Sequence, residues 1–189
     1  MPPKAKLTKE DIVQASLALI RESGAQACNA RAIASRLGCS TQPIFSNFES
    51  MEQLEQNAIE AAYRMYLGFI DREVASGKYP RYKAFGMAYI RFAFEERELF
   101  RLLFMRDRRG EGLLPSPDFE ESVQMITNVN GISEQTARLM HTELWICVHG
   151  IGTMLATSFL SFEWEDISNM ITDVYQGLRT RHTKKEAEL

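Results

Sequence analysis

Around Gly38 the sequence specifies two short helices and a tight turn between them, and this arrangement limits what the chain can fold into more than any other feature. Asn29 is placed to cap a short helix whose Ile33, Ala34 and Leu37 face inward. Gly38 ends that helix, because glycine adopts the left-handed conformation at no steric cost. Only Cys39 and Ser40 then precede the next helical piece. Ser40 is expected to cap it, with Pro43 in the first turn, where a missing N–H would have had no intrahelical partner anyway. Ile44 and Phe48 anchor this piece and leave Thr41, Gln42 and Ser46 facing out. Two short helices joined by so tight a glycine turn form a helix-turn-helix signature.

The flanking segments fit the same plan. Thr8 and Asp11 form a capping box that starts a first helix, Val13, Leu17 and Ile20 give it an apolar face, and Gly24 stops it. Ser50 and Gln53 start a long fourth helix in which Leu54, Ala58, Ala61, Met65 and Phe69 keep a helical period. Beyond Pro80, Tyr82, Phe85, Tyr89 and Phe92 mark an aromatic helix, and Leu99 to Met105 an almost wholly apolar one. A loop is expected from Arg106 to Pro117, then helices over about Asp118–Asn128, Ser133–Phe162 and Glu165–Arg179, ahead of a charged, frayed tail. Strand-like alternation is scarce and no repeat is present, so the fold class is all-α. A three-helix headpiece over 1–52 is joined through the fourth helix to a larger helical domain over 53–189.

Charge refines this division. The net charge of −3 counts against a nucleic-acid binder, yet it is unevenly spread. In the first 50 residues Lys4, Lys6, Lys9, Arg21, Arg31 and Arg36 stand against Glu10, Asp11, Glu22 and Glu49, so a mildly basic head precedes an acidic body. The first lysines are followed by no apolar run, and no stretch approaches the roughly 20 apolar residues that span a bilayer, which points to a cytoplasmic protein. Cys28, Cys39 and Cys147 lack metal-ligand spacing and are expected as reduced thiols.

Ile12 to Gly24, Ala30-Arg31-Ala32-Ile33-Ala34, Leu37-Gly38-Cys39-Ser40, Ile44-Phe45-Ser46-Asn47-Phe48 and Leu54 carry a resemblance. Through them the first 65 residues resemble, without gaps, the DNA-binding headpiece of the TetR family of transcriptional regulators. Trp145 followed by Val148-His149-Gly150-Ile151 looks like a stretch in the ligand-binding half of one TetR subgroup. The family usually has Tyr where this chain has Phe45, His or Tyr where it has Asn47, and Lys near the start of the fourth helix where it has Met51. A tyrosine hydroxyl and a lysine ammonium are expected phosphate contacts, so their replacement implies weaker or more selective DNA binding.

The resemblance implies a repressor that binds a palindromic operator as a homodimer and is released by a small molecule. The expected DNA-contacting residues are Lys4, Lys6, Asn29, Arg31, Thr41, Gln42, Phe45, Ser46 and Asn47, with Gln42 suited to an adenine edge and Thr41 to a hydroxyl contact or a thymine methyl. Ile151, Leu155, Ile167, Ile171, Val174 and Leu178 form apolar stripes expected at the dimer interface. A pocket for a small apolar or aromatic ligand is expected among Phe85, Tyr89, Phe92, Phe104, Met105, Met125, Met140 and Trp145, with Tyr89 and His149 as orienting polar groups. The alternative is a helical ligand-binding or interaction protein with a degenerate headpiece. Phosphate-loop, nucleophile-elbow and zinc-protease motifs are absent, so neither an enzyme nor a metal or other cofactor is expected.

Overall fold

The structure is a computed structural model and describes residues 7–107 and 117–187. Among them are nine α-helices and no strand: α1 (Lys9–Ser23), α2 (Ala30–Arg36), α3 (Gln42–Asn47), α4 (Met51–Ala75), α5 (Arg81–Glu95), α6 (Arg97–Phe104), α7 (Pro117–Asn130), α8 (Glu134–Ala156) and α9 (Trp164–Ala187). The all-α class is thus as the periodicity implies.

Packing divides the chain into two units. One holds the chain through Leu67 together with Glu96–Arg106; the other holds Gly68–Glu95 together with the chain from Asp107 on. The division therefore falls inside α4 at Leu67/Gly68 rather than near residue 52. The apolar period of α4 runs unbroken through that point, so periodicity alone does not mark it.

In the first unit, local chemistry sets the helix ends. Asp11 N–H donates to Thr8 Oγ1 at 3.1 Å while Thr8 N–H donates to Asp11 Oδ2 at 2.9 Å, completing the capping box and holding the Asp11 carboxyl below the usual carboxylate range. Ile12, Leu17, Ile20, Ile33, Ile44, Phe48 and Leu54 are buried, each contributing roughly 1.5–3 kcal/mol when fully withdrawn from water. The apolar face of α6, with Leu99, Phe100, Leu102 and Leu103, joins this core, and α6 packs on α1. Arg21 forks onto Glu96 at 2.5 and 2.8 Å, and a Cβ at Gly24, where φ is +79°, would lie 3.1 Å from Glu98 Oε2.

In the second unit α5 and α8 make the central pair. Gly86 faces α8, where an added Cβ would lie 3.4 Å from the Val148 side chain. Glu73 is buried but paired with Arg91, whose guanidinium also sits 4.4 Å over the Trp164 ring. A satellite core of Val123, Ile126, Ile132, Ala137 and Met140 is flanked by Tyr82, Phe119, Tyr175 and Leu178.

Two helix ends depart from the sequence reading. The helix α8 stops at Ala156 rather than Phe162, because Ser158 takes a left-handed φ of +57° and Phe159 N–H folds back onto the Met154 carbonyl at 2.9 Å. Conversely α9 continues past Arg179 to Ala187, anchored by buried His182, whose Nε2 lies 2.6 Å from Glu143. The loop expected over Arg106–Pro117 falls mostly outside the described residues.

Candidate nucleic-acid interface

The turn between α2 and α3 is fixed by the groups that close α2 at both ends. Asn29 Oδ1 accepts from Ala32 N–H at 3.1 Å, so Asn29 is the N-cap. At the other end Gly38 has φ +62°; its N–H donates to Ser35 O at 3.2 Å, and Cys39 N–H donates to Ala34 O at 3.0 Å. This paired closure is the Schellman arrangement, which uses two carbonyls that the helix would otherwise leave unbonded. The expectation for Ser40 is corrected: α3 begins at Gln42, with Thr41 at the cap position and no side-chain bond to the helix. Pro43 lies in the first turn, as expected.

Ile44 and Phe48 are buried, which fixes the rotation of α3 and leaves Gln42, Phe45 and Ser46 exposed at i, i+3 and i+4 on one face. Phe45 is 52% exposed. Ser46 Oγ donates to Gln42 O at 2.9 Å, and half-buried Asn47 donates through Nδ2 to Pro43 O at 2.8 Å. The one Ser46 donor and one of the two Asn47 amide donors are therefore used within α3, while the Gln42 amide makes no side-chain bond among the described residues. Arg31 is exposed and, among the described residues, unpaired in the first turn of α2, whereas Arg36 binds Glu22 through both arms at 2.8 Å, which holds the Glu22 carboxyl low. Thr41 is half-buried beside this face, and Lys4 and Lys6 lie outside the described residues. A cavity of about 100 Å³ under α1 and α4, lined by Ser16, Cys28, Met51 and Glu55 among others, belongs to this unit, and burial raises the Cys28 thiol.

In the second unit the expected ligand residues are brought together only in part. Tyr89 hydroxyl lies 2.8 Å from His149 Nδ1, and the Trp145 ring stacks on His149 at 5.0 Å and 16°, with Trp145 45% exposed. Burial pushes the His149 imidazole down, so it is held neutral. Phe85 and Phe92 are buried, Phe92 against Phe69 at 5.2 Å, and Met125 is half-buried on α7. Phe104 and Met105 fall instead in the first unit, where Phe104 meets Tyr66 at 5.4 Å edge-on, and Met140 sits in the satellite core. The apolar run of α6 packs on α1 within the first unit, where Phe104 also meets Tyr66 of α4.

A second tyrosine–histidine pair was not anticipated: Tyr82 hydroxyl lies 2.8 Å from His141 Nδ1, with the Phe119 ring edge-on to His141 at 4.8 Å. Burial lowers His141 to about 4 and raises Tyr82. The signal was present in the spacing, since Tyr82 and His141 precede Tyr89 and His149 by two turns on the same two helices. Lys83 was also missed; its ammonium donates to Ser168 Oγ at 2.7 Å and Thr172 Oγ1 at 2.8 Å.

The residues expected at the dimer interface take these places in the single chain. Ile151, Leu155, Ile167 and Ile171 are buried within one chain, while Val174 and Leu178 are half-buried, Leu178 against the satellite core. An apolar stripe on a helix marks a buried face without saying whose core buries it. Large apolar side chains exposed in this unit include Leu139, Trp145 and Ile146 on α8, the last 59% exposed, Phe159 and Leu160 after it, and Phe94 and Val129 elsewhere. On this side of α8 Gly150 faces open space.

A helix-turn-helix capped by α1, a long α4 and a helical second unit define a TetR-like all-helical fold. The sequence matches no protein-family model and no curated protein. Among solved structures, a Rhodococcus sp. RHA1 protein of unknown function aligns with a TM-score of 0.65 at 16% identity, covering 99% of this chain and 100% of that one. A TetR variant from Acinetobacter baumannii AYE, in complex with minocycline, aligns with a TM-score of 0.51 at 16% identity, covering 96% of this chain and 98% of that one. The likeness lies in the fold. Among the described residues no helix is long and apolar enough to cross a membrane, and no three His, Cys, Asp or Glu side chains stand where they would hold a metal ion.

Proposed function

We propose that the chain is a cytoplasmic, sequence-specific DNA-binding regulator, a repressor that grips a palindromic operator as a homodimer and releases it on binding a small apolar or aromatic ligand. The observation that carries this reading is the outward face of α3: Gln42, Phe45 and Ser46 stand exposed together on a helix whose rotation is fixed by buried Ile44 and Phe48. In a helix-turn-helix the second helix enters the major groove, where such side chains meet base edges. Arg31, together with Lys4 and Lys6 ahead of α1, supplies phosphate contacts, while Thr41 and Asn47 border the base-reading face.

One small headpiece reads too few base pairs to hold an operator, and a symmetric dimer combines two half-sites about 34–36 Å apart. The exposed face of α8 with Leu139, Ile146 and Gly150 is the surface on which two copies meet, with bare Gly150 admitting the partner's backbone. Tyr89, His149 and Trp145 form the polar and aromatic edge of the ligand site, next to buried Phe85 and Phe92. A protein of similar fold in complex with minocycline supports a small-molecule ligand. A ligand acts only through its differential affinity for two states, and α4, which begins in one unit and ends in the other, carries the change between them.

The test is selection of genomic fragments by the purified full chain, followed by fluorescence anisotropy on the best fragment at two salt concentrations. An enriched palindrome bound far more tightly than random DNA is the expected result. Absence of any enriched site, with binding only at low salt, overturns the reading. It would favour a helical ligand-binding or interaction protein instead, for which Phe45 without a hydroxyl and Met51 without an ammonium are the supporting observations.

A further inference from the structure

Resting on the regulator reading above, we infer that each operator half-site is built on A·T pairs, and that Phe45 sets this specificity by packing on a thymine methyl while Gln42 reads an adenine edge. The three outward residues of α3 differ sharply in what they offer the major groove. Guanine is read most often by an arginine or lysine fork on O6 and N7. No Lys or Arg lies between Arg36 and Arg64, and both arms of Arg36 are held by Glu22 at 2.8 Å. The reading face therefore carries no arginine or lysine fork for guanine.

Gln42 offers a donor and an acceptor together, the pattern that adenine N6 and N7 require. Ser46 has given its proton to Gln42 O at 2.9 Å, so it presents lone pairs only, which suit an amino group on adenine or cytosine. Between them stands the Phe45 ring, 52% exposed and with no ring or cation partner among the described residues. The C5 methyl of thymine is the apolar group on the major-groove edges of the base pairs. An exposed ring on a reading helix is therefore complementary to thymine and indifferent to the hydrogen-bond code around it. A ring that instead packed on deoxyribose would be blind to that methyl, which separates the two placements experimentally.

The experiment selects duplexes from random DNA with the full-length protein, then replaces thymines by uracil one at a time in the best half-site. Affinities are measured for the unmodified protein, Phe45→Ala and Phe45→Leu. The selected half-site is expected to place A·T pairs opposite α3, and one uracil to weaken binding about four-fold, the effect of withdrawing one buried methyl group. Phe45→Ala is expected to lose this uracil sensitivity, and Phe45→Leu to keep it. Binding unaffected by every uracil, equal uracil losses in the unmodified protein and Phe45→Ala, or a half-site built on G·C pairs overturns the role of Phe45 while leaving DNA binding intact. No selected sequence at all overturns the regulator reading and this inference with it.

Discussion

Replacing Gly38 by alanine isolates the backbone requirement of the turn that aims α3. The φ of +62° lies in the left-handed region, and an ideal Cβ at this position would meet nothing within 4 Å. The cost is therefore free of clash and equals the intrinsic penalty of a Cβ in that conformation, about 1–2 kcal/mol. The variant is expected to release this strain by opening the bonds from Gly38 N–H to Ser35 O and from Cys39 N–H to Ala34 O. Both tryptophans lie in the second unit, so tryptophan fluorescence is blind to the event. Native-state hydrogen exchange sees it directly. Protection of the amides from Ile33 to Phe48 is expected to fall by a factor of about 5–30 in Gly38→Ala. Amides of α5 and α8 should keep their protection. Gly38→Asn should lose much less, since asparagine visits the left-handed region readily. Unchanged protection in the alanine variant, or equal loss with alanine and asparagine, would refute the assignment of the turn to this φ.

Three further outcomes follow from the same geometry. Arg31→Ala removes one phosphate contact from each headpiece of a dimer, so the slope of log K against log salt should shrink by about 1.8; an unchanged slope would place Arg31 off the DNA. Ile146→Glu puts a carboxylate on the exposed α8 face at a position that is 59% exposed, so the fold should persist while sedimentation reports a monomer; a persisting dimer would move the interface elsewhere. His141 is held neutral down to about pH 4 in the folded chain and returns to 6.5 when unfolded. The unfolded chain then binds more protons between those values, so this contribution weakens stability as pH falls from about 6.5 to 4. The His141→Gln variant, which keeps an acceptor for Tyr82, should lose less stability across that window by urea denaturation, and equal losses would count against the burial assigned to His141.

What the sequence made legible was what local chemistry decides. The Thr8–Asp11 box, the Asn29 cap and the Gly38 closure each involve residues a few positions apart, and all three stand as the pattern implies. What stayed illegible was which surface each apolar stripe meets. Leu99 to Leu103 announced a buried face without naming α1 as its neighbour, and Ile151, Leu155, Ile167 and Ile171 announced one that turned out to be the chain's own core. The left-handed turn at Ser158 escaped notice because serine gives no warning of positive φ. The last turns of α9 escaped because a polar pair, His182 with Glu143, holds them in place of an apolar stripe.

If the regulator reading holds, the ion pairs of the first unit favour selective rather than tight DNA binding. Phosphate contacts supply sequence-independent affinity, and each needs a cation free to leave its partner. In the first unit Arg21 is held by Glu96, Arg36 by Glu22 and Arg101 by Glu98, so much of the formal positive charge is spent inside the protein. With Phe45 and Met51 standing where the resembling family has a hydroxyl and an ammonium, the non-specific term shrinks further. On that reading, a headpiece of this kind would gain little from random DNA and would draw its binding energy from base edges, through one amide, one hydroxyl oxygen and one exposed ring on α3. Weak non-specific binding raises the ratio of specific to non-specific affinity, and that ratio, weighed against the number of competing sites, governs occupancy of an operator in a genome.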